Sequence, residues 1–461
     1  MCFSLLRDLE FDHMRRPTSL VLCFFLSGCA TGPQWLPRVQ HEQPPYAIYG
    51  SVVSDNGAKD GWVVVHRGVI VSVGSSESTI PKHARKYKYS GYIFPGLIDT
   101  HNHPQYNAIP RWRAAKKYKN RYEWIVDPIY RQNVEAVFAK LKEHHVEYAA
   151  LKYGEVRALI GGTTSIQGTY APPESNGLVR NISPTYEADA YTLDVRGLSD
   201  EKVQKIRSDL TTGQLKRYFL HVAEGVDTKS SEEFNVLQSK GLLRSGIVLI
   251  HGIALTREQF RLMRRVGAYL VWSPQSNLSL YGKTTDVVAA KEEGLTISLA
   301  PDWTITGTDN MLEELKVAEK YSKERLHSKV TARDLFRMAT INAAKVAGLD
   351  QFLGRVAPRF GADFFLAPRL DPDPFKSLLK TNSRDVHMVF VDGVPLYGDE
   401  GEVEKFVDSN SIDRINVQGR QKVVVTVADP RLAPRSQEHF RDIVQLLQKS
   451  IVMVAPLSED Q

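Results

Sequence analysis

Two histidines, His101 and His103, follow the apolar run Gly91-Tyr-Ile-Phe-Pro-Gly-Leu-Ile-Asp-Thr100. At the end of a strand, residues i and i+2 point the same way, so both imidazoles would face one side. With 13 His in 461 residues, chance alone gives about 0.4 His-x-His pairs per chain, so the pair means little by itself. Its company means more. The apolar runs 216–220 and 247–250 lead into His221 and His251, and the run 295–299 leads into Ala300-Pro301-Asp302. Four predicted strands thus end in a group that binds metals or carries protons. Glu224 follows His221 closely enough to reach anything held there. Imidazole nitrogen and carboxylate oxygen suit one divalent cation, Zn²⁺ or Fe²⁺ alike. Such a cation lowers the pKa of its water from 15.7 toward about 7, which gives hydroxide at neutral pH. The expected chemistry is hydrolysis.

These groups can meet only if the fold gathers strand ends. In a parallel (β/α)₈ TIM barrel the carboxyl ends of all strands open on one face, where active sites lie. The middle of the chain has the required texture, short apolar runs alternating with helical stretches. In residues 134–159, Val146, Ala149, Ala150, Tyr153 and Val156 keep a helical spacing. His144 and His145 fall inside that pattern and read as ordinary helix residues, as does His327 among charged neighbours as a solvated one. Both chain ends are β-rich instead: residues 46–53, 62–66 and 69–73 with Arg67-Gly68 as a turn, then 362–366, 388–391 with Asp392-Gly393, and 423–427. An α/β chain is expected, with a barrel over 95–350 and a small β domain built from 46–94 and 351–430. Residues 431–461 would be a C-terminal helix and tail, with Phe440, Ile443, Val444 and Leu447 of the 436–449 stretch facing the body.

Composition narrows the choice. Hydrophobic residues at 42% and charged residues at 24% describe a globular protein. A net charge of +6 from 59 basic and 53 acidic residues is too dilute for a nucleic-acid partner. The three cysteines, Cys2, Cys23 and Cys29, precede the folded part, so a metal there must be held by His and carboxylates. Arg15 and Arg16, the apolar run 20–26 and Leu26-Ser-Gly-Cys29 resemble a bacterial lipoprotein signal. The expectation is a signal peptide over 1–28, lipidation of Cys29 and a Pro-rich tether over 29–45. The acidic Asp8, Glu10 and Asp12 suit a signal poorly, and translation from Met14 would remove them. Ala30 after the cysteine points to the outer membrane, with the protein in the cell envelope facing the periplasm.

Taken together, Pro95-Gly-Leu-Ile-Asp-Thr-His-Asn-His103, His221-Val-Ala-Glu224, Leu249-Ile-His-Gly252, Trp272-Ser-Pro-Gln-Ser-Asn277, Asp302-Trp303 and Met338-Ala-Thr-Ile-Asn-Ala-Ala344 resemble the amidohydrolase superfamily. The branch is the mononuclear deaminase and chlorohydrolase-like one, which includes cytosine, guanine and triazine-processing enzymes. The motifs run in the family's order from residue 46 to about 392. The resemblance implies a distorted barrel, a β-sandwich built from both chain ends, and one divalent metal on His101, His103, His221 and Asp302. Glu224 would move a proton from water to the leaving nitrogen, His251 would orient the attacking oxygen, and Asp302 would also accept a proton. Asp309 lies too far beyond the last strand to compete with Asp302. A second metal would need a bridging lysine, and Lys202, Lys205 and Lys216 are all badly placed for that.

Loops after the strands would form the substrate wall. Candidates are Gln105, Trp112, Gln167, Tyr170, Asn277 and Trp303, joined by Tyr106, Asn107 and Ser273. Amides among aromatics suit a planar, hydrogen-bonding heterocycle or an aryl amide. Residues 110–130, with Trp112, Tyr122 and Trp124, make a candidate lid, and Arg111, Arg113, Arg121 and Arg180 could bind a carboxylate. The expected function is a metal-dependent attack of hydroxide on a C–N bond of a small cyclic amide, amidine or aminated heterocycle. The competing readings are cleavage of an acyclic or aryl amide, and a non-catalytic solute-binding lipoprotein.

Overall fold

The computed structural model describes residues 44–168, 178–182, 191–192, 194–427 and 438–458. The signal peptide, Cys29, nearly all of the tether and Tyr170 lie outside the described residues.

The chain begins with β1 (Tyr46–Ser54), β2 (Gly57–His66), β3 (Val69–Gly74) and β4 (Arg85–Pro95). Arg67 and Gly68 turn β2 into β3 with φ of 52° and 73°, the left-handed pair that matches strand twist in a two-residue hairpin. Among the described residues eight short parallel strands follow: β5 (Leu97–Asp99), β6 (Thr163–Ile166), β7 (Arg180–Asn181), β8 (Tyr191–Thr192), β9 (Tyr218–Val222), β10 (Ile247–His251), β11 (Tyr269–Trp272) and β12 (Ile297–Leu299). β5–β6–β7 form one sheet and β8 to β12 a second. An isolated parallel bridge between Asn102 and Asp302 joins the segments that follow β5 and β12. Runs such as Ile247-Val-Leu-Ile250 are buried throughout, as strands covered on both faces must be.

The chain closes with β13 (Phe364–Ala367), β14 (Met388–Val391), β15 (Val394–Asp399), β16 (Ile412–Val417) and β17 (Arg420–Val425). These pair with the opening strands in one nine-stranded sheet, β13 lying antiparallel to β4 with Phe365 opposite Phe94. The two rings stack at 5.2 Å. Arg180 at β7 is buried between Asp363 and Asp392, which ties the parallel strands to this sheet.

Helices cover the parallel strands and are capped as their sequences dictate. Thr256 and Gln259 form a capping box at the start of Arg257–Val266, and Gly267 ends it at φ 77°. The helical pattern at 134–159 is not one helix. A π turn at Arg131–Glu135 leads into Ala136–Glu143, and a second helix runs from Glu147 to Ile160. His145 between them has φ 55°, which no helix interior tolerates. The C-terminal helix Phe440–Ser450 buries Phe440, Ile443 and Leu447, with Phe440 stacked on Tyr153 at 5.7 Å. Among the described residues no helix is long and apolar enough to cross a membrane.

Candidate active site

The carboxyl ends of β5, β9, β10 and β12 bring His101, His103, His221, His251 and Asp302 together. His101 Nε2 lies 3.1 Å from His221 Nε2. Asp302 Oδ1 lies 3.4 Å from His101 Nε2 and 3.6 Å from His103 Nε2. His101, His103 and His221 each offer a ligand atom within 4.8 Å of the others, and so do His101, His251 and Asp302. Three of the strand ends carry strained backbone: Ala223, His251 and Asp302 have φ of 56°, 68° and 70°. Left-handed non-glycine residues cost of order 1 kcal/mol each and cluster at functional sites.

Protonation suits a cation. Burial first, then the neighbouring imidazoles, holds His101 well below its ordinary value. His103 is lowered to about 4 by burial and His251, and burial also lowers His251. Neutral imidazoles keep the lone pairs that a metal needs. The Asp302 carboxyl is raised well above its usual range by burial, with the Ser276 hydroxyl opposing and Glu224 adding to the rise. Ser276 Oγ donates to Asp302 Oδ2 at 2.7 Å and so leaves Oδ1 facing the histidines. A cluster of neutral imidazoles closed by a carboxylate that would rather not be charged alone is a donor set that fits a divalent cation.

Glu224 sits beside this cluster. Its Oε1 accepts from the Tyr281 hydroxyl at 2.6 Å and lies 3.8 Å from His251 Nε2. Its Oε2 is 3.8 Å from Arg121. Arg121 is buried and also pairs with Glu233 at 3.3 Å, whose other oxygen accepts the Ala223 amide at 2.8 Å. His251 Nδ1 meets Asn277 Oδ1 at 2.8 Å, and the Asn277 amide nitrogen donates to Thr284 at 3.1 Å. An amide oxygen only accepts, so Nδ1 carries the imidazole hydrogen and Nε2 faces Glu224.

A cavity of about 1060 Å³ opens over these groups. Of the residues expected to contact substrate, Gln105, Tyr106 and Trp303 line it, beside Trp124 and Tyr130. Five others do not. Asn107 is buried and bonded to Asn102 and to the Thr304 amide, and buried Ser273 lies 3.4 Å from His101 Nδ1. Trp112 is buried and packs on Tyr130 at 5.2 Å, bracing the 110–130 segment. Gln167 is buried, its backbone bonded to Asp99 and Asn102 between the ends of β5 and β6. Asn277 lies under His251 and positions it. Three of the four arginines also have other work. Arg111 and buried Arg157 hold Asp309, at 2.8 and 2.6 Å, which removes that aspartate from the metal cluster. Arg121 and Arg180 are buried in ion pairs, and Arg113 is exposed. Lys202 and Lys205 lie on the helix Asp200–Thr212, and Lys216 precedes β9. His145, at the break between two helices, lines the outer cavity.

The sequence did not point to Tyr281 or Glu233. Both touch the site through contacts distant along the chain, and neither belongs to a short motif. Ser276 was visible within Trp272-Ser-Pro-Gln-Ser-Asn277 but carried no expected role.

The model of the amidohydrolase family matches residues 212–396. A 5-methylthioadenosine/S-adenosylhomocysteine deaminase of Halobacterium salinarum is 30% identical over 373 residues, which cover 69% of this chain and 83% of that protein. The like-named enzyme of Syntrophus aciditrophicus is 29% identical over 192 residues, a match spanning 38% of this chain and only 43% of that protein. Among solved structures, an adenosine deaminase from Xanthomonas campestris with bound zinc superposes with a TM-score of 0.63 at 16% identity, covering 88% of this chain and 98% of that one. Guanine deaminase from Bradyrhizobium japonicum gives 0.59 at 18% identity, covering 78% and 100%. At these identities the structural likeness speaks to fold.

Proposed function

The chain belongs to the amidohydrolase family, and from that premise we infer that it is a metal-dependent hydrolase of non-peptide carbon–nitrogen bonds that deaminates an aminated heterocycle. The fold we assign is the family's distorted (β/α)₈ barrel, with a β-sandwich contributed by both chain ends. His101, His103, His221 and Asp302 would hold one divalent cation. When bound, such a cation makes water acidic enough to attack an sp² carbon at neutral pH.

The chain's own residues then divide the work. Glu224 takes a proton from the attacking water and returns it to the leaving nitrogen, as a general acid/base must. His251, with its hydrogen on Nδ1 toward Asn277, presents Nε2 to the same space and orients the oxygen that attacks. Ser276 keeps one Asp302 oxygen occupied so that the other stays on the ligand side. Trp303, Trp124, Tyr106 and Tyr130 give the cavity flat apolar walls, and Gln105 gives an amide edge, a combination suited to a planar heterocycle. The signal-like start and Cys29 support a lipid anchor in the cell envelope, probed by palmitate labelling of the protein and of Cys29→Ser.

The observation that carries the reading is Glu224 held 3.8 Å from His251 in the wall of a cavity that His103, His221 and Asp302 also line. The test is elemental analysis of the purified protein together with ammonia release from a panel of aminated purines, pyrimidines and triazines. Stoichiometric metal with ammonia release from a panel member is the expected result. Metal-loaded protein that releases no ammonia but cleaves aryl amides would overturn deamination in favour of amide hydrolysis. Protein that binds panel members and turns over nothing would be the solute-binding lipoprotein.

A further inference from the structure

Tyr281 has a place that the chemistry above does not use. It is the last residue of the helix Pro274–Tyr281, and its hydroxyl is buried between two partners from other parts of the chain. Trp124 Nε1 lies 2.7 Å away on one side, and Glu224 Oε1 2.6 Å away on the other. An indole N–H can only donate. The phenol oxygen must therefore accept from Trp124, and its single hydrogen is left to point at Glu224. Burial, with the adjacent Glu224 carboxylate, raises the phenol well above its ordinary value, so it remains a donor. Trp124 in turn lines the cavity, 6.0 Å from Trp303 and 5.0 Å from Tyr130 between ring centroids. Its short helix, Arg121–Trp124, reaches Glu224 a second time, because the Arg121 amide donates to the Glu224 carbonyl at 3.3 Å.

We propose that Tyr281 is a positioning residue whose directed hydrogen bond to Oε1 fixes the Glu224 carboxylate for proton transfer and couples it to Trp124 in the substrate wall. Oε1 is held by the Tyr281 hydroxyl and Oε2 lies 3.8 Å from Arg121, so the carboxylate is held from both sides. The proposal rests on the reading of Glu224 as proton carrier. A ring pressed against Trp124 would reach the acid/base through one indole and one phenol, so lid and acid/base are set together.

The test uses full-length metal-loaded protein, with Tyr281→Phe, Trp124→Phe and Glu224→Gln. Tyr281→Phe should keep full metal content and KM within about twofold while kcat falls about 10- to 100-fold, since positioned proton transfer is worth 10²–10⁴-fold. Trp124→Phe, which keeps a flat ring but loses the donor, should lower kcat less. A second readout needs no substrate. In protein labelled with ¹⁵N-tryptophan, Trp124→Phe identifies the Trp124 indole resonance. Glu224→Gln should shift that resonance when Tyr281 is present and leave it unmoved in the Tyr281→Phe background. Tyr281→Phe with unchanged kcat, or a KM that rises in step with the loss of kcat, would overturn the proposal. So would an indole resonance indifferent to Glu224→Gln. If Glu224→Gln itself retains full turnover, the proton-carrier reading has failed, and the indole shift still decides whether the relay exists.

Discussion

The backbone of Asp302 is bonded to both His101 and His103. Its amide donates to the His101 carbonyl at 3.1 Å, and its carbonyl accepts from the His103 amide at 3.1 Å. Side chains at the ends of the first and last parallel strands are thus spaced by peptide hydrogen bonds. A site so stitched pays little to organise itself around a metal.

Asp302→Asn should separate ligation from this scaffold. Asparagine tolerates the left-handed φ of 70° found here and keeps both backbone bonds. Metal affinity should fall at least about tenfold, with circular dichroism unchanged. Asp302→Ala should lose the metal as well and also unfold more easily, by about 1 kcal/mol from the disfavoured φ. Elemental analysis and urea titration check the pair.

Glu224→Gln should retain stoichiometric metal and lose at least about 100-fold in kcat, the contribution expected of positioned proton transfer. Ammonia release measured beside metal content decides it. Normal turnover would sink the assigned role.

Asn277→Leu removes the acceptor that fixes the His251 tautomer while keeping the buried volume. We expect kcat to fall about tenfold or more with KM little changed, because orientation of the attacking oxygen is lost and the cavity wall is not. A rise in KM alone would restore Asn277 as a substrate contact.

Burial holds His103 neutral down to about 4 in the folded chain, whereas an unfolded histidine protonates near about 6.5. Between those values the unfolded chain binds more protons, so stability from this group is full above about pH 6.5 and drains as pH falls toward 4. Measured without metal, the stability of the parent relative to His103→Gln should therefore drop by up to about 3 kcal/mol between pH 7 and 4. Urea unfolding of both proteins across that range checks the sign. A difference that stays flat refutes it.

What could be read from the residues was what local rules govern. Short apolar runs ending in His221 and His251 announced strands whose ends carry clustered imidazoles. Arg67-Gly68 and Asp392-Gly393 announced turns, both with the left-handed φ such turns need. The choice of Asp302 over Asp309 followed from distance to the strand end, and the structure gives Asp309 to Arg157 instead. What escaped was decided by packing between distant segments. Asn277 follows a strand end like a wall residue, yet the helix Pro274–Tyr281 turns it beneath His251. Trp112 lies in the 110–130 segment expected to be a lid, yet it faces the neighbouring aromatics and not the cavity. The helical spacing of 134–159 persists on both sides of a break that only the φ of His145 reveals.

The antiparallel pairing of β4 with β13 has a consequence for biogenesis. The opening strands leave the ribosome, or thread a translocation pore, long before their neighbours exist, and until β13 arrives the β4 edge is an unpaired template. The N-terminal hairpins must wait for the last quarter of the chain. A protein shortened before residue 364 would keep the whole His101–Asp302 cluster and still present an open edge, prone to aggregate for want of its own tail.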